Sequence, residues 1–265
     1  MRLGDICSKI GSGATPRGGK EAYSTSGIPI IRSQNVLDWS FSSNGLAYLN
    51  DEQAKTLSNV EVHQGDILLN ITGDSVARAC IVPSDVIPAR VNQHVAILRP
   101  KEKANATFIL AWLQTNKDLL LKLASSGATR NALTKRMLEG LDINLPSIDI
   151  QNHIAELISL IQSKINLNIK LNGYLLELAT TRFEQALFKS NRVVRLGDIV
   201  KLEDSKRVPL NSRDRDARKG PYPYYGATSI MDYVDDYLFD GIRVLLGEDG
   251  SVIDESGRPI LQYVW

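Results

Sequence analysis

Ile150-Gln151-Asn152-His153-Ile154-Ala155-Glu156-Leu157-Ile158-Ser159-Leu160-Ile161 opens a stretch whose apolar residues recur at threes and fours. The series Ile150, Ile154, Leu157, Ile158, Ile161, Ile165, Ile169, Leu175, Leu178, Phe183 and Leu187 keeps that spacing across residues 148–190. This is the period of an α-helical face. The stretch holds no proline and one glycine, Gly173, and Pro146-Ser147 stands where a helix would be entered. At 1.5 Å per residue, such a helix reaches about 60 Å. A rod of that length cannot bury its stripe inside a domain as small as its flanks allow, so it requires a partner helix, as in a coiled coil. Asn168 and Asn172 fall on or near the apolar seam, where buried asparagines fix register. Two ordinary helices broken near Asn172-Gly173 are the alternative.

The flanks are of another kind. Residues 1–147 are dense in glycine, proline and short β-type runs: Ile28–Ile31, Asp66–Ile71, Ala79–Val82 and His94–Leu98 each read as strands between turn residues. Phe108–Lys122 carries apolar residues at helical spacing, and Thr134–Leu141 reads as a short helix. Regular strand–helix alternation is missing, so the fold class is α+β, a mixed α/β domain followed by the rod. Beyond the rod the β-rich style returns. Arg2-Leu3-Gly4-Asp5-Ile6 reappears as Arg195-Leu196-Gly197-Asp198-Ile199, and Gly65-Asp66-Ile67-Leu68-Leu69 has a degraded echo in Gly241–Leu246. Self-similarity at this range marks a duplicated domain. The map is therefore a first domain at 1–147, a connecting helix at 148–190 and an incomplete second copy at 191–265, with Ser205–Arg218 as an exposed charged loop.

Composition excludes several classes. Hydrophobic content of 43% and charged content of 23% are ordinary for a globular chain. Two cysteines, Cys7 and Cys80, do not make a disulfide scaffold and suit a reducing compartment. No run approaches the ~20 apolar residues of a membrane span, and the N-terminus lacks a signal peptide's apolar core. A cytoplasmic protein is the expectation. The net charge of +1 is uninformative by itself, since basic residues can still share one face.

Catalytic motifs do not assemble. Gly11-Ser12-Gly13 and Gly18-Gly19-Lys20 lack the phosphate-loop spacing, with Glu21 where a hydroxyl belongs and Pro16 interrupting. His63, His94 and His153 are too scattered for a metal pair. Asp204-Ser205-Lys206 matches only the tail of a nuclease motif, a triplet common by chance. No Asn/Asp-Pro-Pro-Tyr/Phe tetrapeptide is present to hold a target base for methylation. The chain reads as a non-enzyme with no cofactor of its own.

What remains in the first copy is a set of polar and basic residues in turn-rich contexts. These are Thr15, Arg17 and Lys20 in a Gly/Pro loop; Arg32, Gln34 and Asn35 after a strand; and Arg78 before another. Asn92 and Gln93 open a further strand, and Thr129, Arg130 and Asn131 lead to Lys135. Arginine can bind guanine through two hydrogen bonds, and Asn or Gln can do the same with adenine. Lys, Ser and Thr contact phosphates and set register. Each residue alone is also ordinary for a surface loop or a strand end; the group is the signal, because recognition sits on loops held by a rigid scaffold.

The order of motifs resembles the DNA specificity (S) subunits of type I restriction–modification systems. Leu3-Gly4-Asp5-Ile6 followed by Gly11-Ser12-Gly13-Ala14-Thr15-Pro16 is similar to that family's opening, Gly27-Ile28-Pro29-Ile30-Ile31 to its next strand, and Asn92-Gln93-His94-Val95 to its Asn-Gln segment. Leu145-Pro146 followed by Gln151-Asn152-His153-Ile154 resembles the segment that leads into its spacer helix, with Ile150 in place of the usual acidic residue. Tyr222-Pro223-Tyr224-Tyr225-Gly226-Ala227 resembles another recognition-domain opening.

The resemblance implies two target-recognition domains, each reading one half of a split site in double-stranded DNA, held apart by antiparallel spacer helices. It implies methyltransferase (M) subunits that dock on the S subunit and methylate adenine at N6 with S-adenosylmethionine, and restriction (R) subunits that use ATP and Mg. With one helix in this chain, the stripe of Ile154, Leu157, Ile158, Ile161, Ile165, Ile169 and Leu175 is expected to pair with the same helix of a second chain or with an M subunit. A dimerising scaffold or decoy that occupies M subunits without directing methylation is the competing expectation, and an enzyme of unfamiliar motif a third.

Overall fold

The computed structural model describes the whole chain except residues 17, 19–21, 126–130, 191, 248–251, 254–256 and 265. It forms two compact units, Met1–Arg182 and Phe183–Trp265.

In the first unit the chain runs α1 (Leu3–Ile6), β1 (Cys7–Ser12), β2 (Ile28–Ile31), β3 (Ala47–Leu49), α2 (Asp51–Thr56), β4 (Glu61–Val62), β5 (Ile67–Asn70), β6 (Ala79–Ile81), β7 (Ala89–Val91), β8 (Val95–Pro100), α3 (Ala106–Thr115), α4 (Lys117–Ser125), α5 (Lys135–Glu139) and α6 (Ile148–Lys189). Two four-stranded sheets result, ordered β1-β8-β5-β6 and β3-β2-β7-β4. The first is antiparallel throughout; in the second, β2 and β7 run parallel.

Side-chain alternation explains the layers. On β5, Ile67 and Leu69 join a core with Leu3, Ile6, Ile109, Leu113, Leu120 and Leu138, which belong to α1 and α3–α5 or lie beside them. Leu68, between them, joins a different core with Ile30, Ile31, Leu49 and Val91 of the second sheet. Successive residues of a strand point to opposite faces. The first sheet is thus a middle layer, helices on one side and the second sheet on the other, and its central strands are apolar on both faces. Two ionic groups pin the layers. Asp66, fully buried, receives the Arg99 guanidinium at 2.7 and 2.8 Å and the His63 N–H at 2.8 Å. Arg90, also buried, donates from Nε to the Ala54 carbonyl and pairs with Glu61 at 3.0 Å.

The four strands expected between residues 28 and 98 are present within a residue or two of their expected ends, apart from β8, which continues to Pro100. The helix expected over Phe108–Lys122 is two helices. Asn116 divides them: its φ of −100° and ψ of 23° leave the helical region, and its Nδ2 donates to the Trp112 carbonyl at 2.8 Å. A side chain that bonds the preceding turn competes with helix continuation. The short α5 begins one residue after Thr134, whose Oγ1 accepts the Met137 N–H. The rod is a single helix of 42 residues through Gly173, so the version broken at Asn172-Gly173 does not hold.

After the rod come α7 (Ser212–Ala217), β9 (Lys219–Tyr225), β10 (Ile230–Val234), β11 (Arg243–Leu246) and β12 (Leu261–Val264). β9 and β10 pair antiparallel, as do β11 and β12. The charged stretch Ser205–Arg218 is largely exposed as expected, but it is not all loop. Asn211 Oδ1 accepts the Asp214 N–H at 3.0 Å and starts α7. The two segments that echo each other in sequence share a local backbone feature. Gly65 and Gly241, each two residues before a strand of its copy, have φ of +83° and +84°, a region that glycine enters freely. Each of those strands, β5 and β11, then pairs antiparallel with the next strand in sequence.

Candidate nucleic-acid interface

Strand direction gathers the first copy's loops at one edge. β1 ends opposite the start of β8, with Ser12 paired to Ala96, and β5 ends there too, with Asn70 paired to Val95. β2 and β7 end side by side at Ile31 and Val91. β6 starts there, with Ala79 paired to Leu69. Loops 13–16, 32–36, 71–78 and 92–94 therefore leave from neighbouring strand ends.

Backbone hydrogen bonds tie these loops together. Gly13 N–H donates to Val95 O at 2.9 Å and Ala14 N–H to Val91 O at 3.0 Å. A Cβ on Gly13 would lie 1.9 Å from that Val91 oxygen, so only glycine permits this approach. Asn92 N–H donates to Ile31 O, Ile71 N–H to His94 O, and Asn70 N–H to Arg78 O. Residues 131–133 join the same edge, since Gly73 N–H donates to Asn131 O and Leu133 N–H to Ile71 O. Ala77 holds a positive φ of 68°, a strained conformation for a residue with a Cβ, secured by its N–H bond to Asn70 O.

The expected contact residues sort into two groups by what their side chains already do. Asn35 is fully buried: its Nδ2 donates to the Ser42 and Asn44 carbonyls and its Oδ1 accepts the Arg32 N–H. Asn92 is buried as well, with Oδ1 accepting the His94 N–H. Both amides shape loops, and neither has surface to offer a base, contrary to the sequence expectation. Arg32 is half committed, with its Nη2 on the Gly45 carbonyl and its guanidinium 5.5 Å from the Tyr23 ring centroid. Lys135, on the first turn of α5, lies 3.5 Å from Glu139.

The second group is turned outward. Thr15, Gln93 and Asn131 are exposed, as is Gln34, whose Nε2 nevertheless donates to the Gly45 carbonyl at 3.2 Å. Arg78 is half-buried, and its guanidinium makes no ion pair or hydrogen bond among the described residues. Arg17, Lys20, Thr129 and Arg130 lie outside the described residues. The edge thus mixes amides, hydroxyls and at least one uncommitted guanidinium, the donor and acceptor set that base edges and phosphates require.

Thr72 and His94 were not singled out from sequence as contacts, yet they sit at the centre of this edge. Thr72 Oγ1 lies 2.7 Å from His94 Nδ1, and Gln93 Nε2 lies 3.2 Å from His94 Nε2. Which ring nitrogen donates and which accepts in these two contacts depends on the His94 tautomer. A polar residue next to Gly73-Asp74 directly after a strand was the available signal.

No acid–base or metal constellation accompanies this arrangement. Burial pushes both cysteine thiols up to about 12, so neither is a nucleophile near neutrality. Among the described residues no group of three or more His, Cys, Asp or Glu is placed to hold a metal ion, and no helix is long and apolar enough to cross a membrane.

The rod begins at the opposite end of β8 from the loops, about 20 Å away at 3.3 Å per residue. Ile154 and Ile158 are half-buried, whereas Leu157, Ile161, Ile165, Ile169 and Leu175 are exposed. A second exposed series lies on the neighbouring face: Leu160, Leu167 and Leu171, not anticipated from sequence, together with Leu178. Apolar residues cover more than half the circumference, wider than the stripe one partner helix needs. A continuous exposed apolar surface of this kind marks an interaction site.

Comparison with known proteins agrees with this geometry. A family model described as the type I restriction modification DNA specificity domain matches residues 1–175. A putative type I restriction enzyme specificity subunit of Haemophilus influenzae is 39% identical over 61 residues, covering 23% of this chain and 15% of that protein. The putative type I restriction enzyme MjaX specificity subunit of Methanocaldococcus jannaschii is 22% identical over 205 residues, covering 72% of this chain and 48% of that protein. The type I restriction–modification S subunit of M. genitalium shares the fold at a TM-score of 0.50 and 14% identity, over 68% of this chain and 43% of that one. A chain from a structure of type I R-M complex assembly gives a TM-score of 0.50 at 23% identity, over 70% of this chain and 43% of that one. The chain thus spans about half the length, or less, of the relatives it matches.

Proposed function

We propose, from the premise that this chain belongs to the family of the type I restriction modification DNA specificity domain, that it is the sequence-reading component of a methylating and restricting assembly. Its first domain reads one half of a split site in double-stranded DNA through the loop edge that carries Thr15, Gln34, Arg78, Gln93 and Asn131. M subunits, bound along the rod, carry S-adenosylmethionine and methylate adenine at N6. R subunits, where present, supply ATP- and Mg-dependent cleavage. The chain itself performs no covalent chemistry and holds no cofactor. The observation that carries this reading is the convergence of six strand ends on one polar edge, with an apolar rod leaving from the opposite end.

The two apolar series on the rod support two simultaneous partners. The Ile154–Leu175 series pairs with the same helix of a second copy. The Leu160–Leu178 series receives an M subunit. Pairing about a two-fold axis would make the split site symmetric, with two identical half-sites. Light scattering is then expected to give a dimer at micromolar concentration, and a monomer there rules out the pairing.

The deciding experiment incubates the purified chain with its M subunit and maps methylated adenines on genomic DNA. One bipartite sequence is expected; random or absent methylation overturns the reading. A second reading, a decoy that occupies M subunits without directing methylation, draws on the exposure of Leu196 and Ile199 in the second copy. It is the outcome if the M subunit binds tightly and no site is marked.

A further inference from the structure

Among the 42 residues of α6, the buried ones are Gln151 and Ala155. A fully buried glutamine on the first turns of an otherwise exposed helix requires a reason, because an unsatisfied amide there would cost about 1–3 kcal/mol. Every group of this amide is engaged. Oε1 accepts the Asn105 N–H at 2.9 Å, and Nε2 donates to the Pro146 carbonyl at 2.8 Å and the Lys103 carbonyl at 3.2 Å. The next residue repeats the grip from outside: Asn152 Oδ1 accepts from Asn105 Nδ2 at 2.9 Å. Asn105 is itself fixed, since its Oδ1 caps α3 by accepting the Phe108 N–H at 3.1 Å. Two consecutive rod residues therefore hold the residue that starts a core helix of the head.

Apolar contact would attach the rod without choosing its direction, because the hydrophobic effect is non-directional. A buried amide with all its bonds made accepts a single arrangement. Direction matters for a long lever. A swing of about 10° at the base displaces a point about 50 Å along the helix by about 9 Å. That is close to three steps along duplex DNA at about 3.4 Å each.

We infer that Gln151, with Asn105 and Asn152, is a positioning joint that fixes the angle at which the rod leaves the reading head, and through it the gap between the half-sites. The second clause rests on the proposed DNA reading; the first does not. Single-molecule energy transfer on the full chain tests the joint directly, with dyes at Glu52→Cys in the head and Lys170→Cys on the rod. The buried Cys7 and Cys80 leave these positions selectively reactive. Labelled protein is diluted into unlabelled protein so that one pair is read per assembly.

Gln151→Ala is expected to broaden the distance distribution at least about twofold, whereas Ser159→Ala, exposed on the same helix and outside both apolar series, leaves the width unchanged. If Gln151→Ala does not fold, Asn152→Ala decides, since it removes only the outer bond: a measurable broadening supports the joint and an unchanged width overturns it. With M subunit and DNA, Gln151→Ala is expected to keep the bases of each half-site and to accept gaps one or more base pairs longer or shorter. Unchanged gap stringency overturns the link to the site. A wild-type chain that marks no site overturns the DNA reading instead, while the dye distances still judge the joint.

Discussion

Arg2–Ile6 and Arg195–Ile199 are the same five residues in two settings. Both close the same first turn, with Asp5 N–H on Arg2 O and Asp198 N–H on Arg195 O, each at 3.0 Å. The apolar pair fares differently. Leu3 and Ile6 are 0% exposed, whereas Leu196 is 71% and Ile199 68% exposed. In the first copy, Leu3 N–H bonds Leu141 O, Ile143 exchanges backbone bonds with Met1, and the chain continues into β1 against β8. The local sequence therefore specifies the turn, and burial is conferred by residues distant in sequence, such as Leu98, Ile109 and Leu138. Among the described residues after 190, the one buried hydrophobic is Val234. Among its described residues the second copy has strands without a buried apolar core.

That contrast can be broken at several levels. The largest effect is on cooperativity. A fragment of residues 1–182 is expected to melt in one sharp transition, and residues 191–265 alone to show none by calorimetry, because too little apolar surface is buried to offset chain entropy. A sharp transition in the second fragment would mean that its copy has a core of its own.

Next comes the buried ion. Asp66→Ala strands the Arg99 guanidinium and is expected to cost about 3–4 kcal/mol in urea titration, toward the lower end for a buried pair because Arg99 keeps some solvent. At the echoing position, Ile242→Ala is expected to change little, since Ile242 is exposed.

The repeated leucine gives the most direct comparison. Leu3→Ala is expected to destabilise by about 2–4 kcal/mol through the cavity it leaves, and Leu196→Ala by less than about 0.5 kcal/mol. Equal effects would mean that Leu196 is covered in solution.

The smallest effects concern recognition. Arg78→Ala and Gln93→Ala are expected to weaken specific DNA binding by about 1–3 kcal/mol each without altering the melting temperature. A loss spread evenly over all sequences, with a salt slope smaller by about one, would assign Arg78 to phosphate rather than base. Asn35→Ala is expected to do the reverse, lowering stability through two orphaned carbonyls.

Legibility in the sequence followed the range of the interactions involved. The rod, the strands at 28–31, 67–70 and 79–81, and the Thr134 cap rest on periodicity or on contacts three or four residues away, and all could be read. The division at Asn116 and the helix at 212–217 were missed because each turns on one short polar side chain bonding its own backbone. The edge loops could be nominated, but their internal sorting could not. Asn35 and Gln34 are neighbours of similar chemistry; only the fold shows that one is buried against residues 42 and 44 while the other is exposed and bonds Gly45. His94 and Thr72 meet across 22 positions, beyond any local pattern.

The strand registers in the head are set by buried pairs such as Leu68 with Cys80 and Ile97, one or two residues inside the strand ends. An exchange at Asp74 or Ser75 leaves those pairs, and both apolar layers, as they are, because the loop's core residue is Val76. On the proposed DNA reading, such a scaffold would let the contact surface change by small edits at the rim while the layers that carry it stay the same.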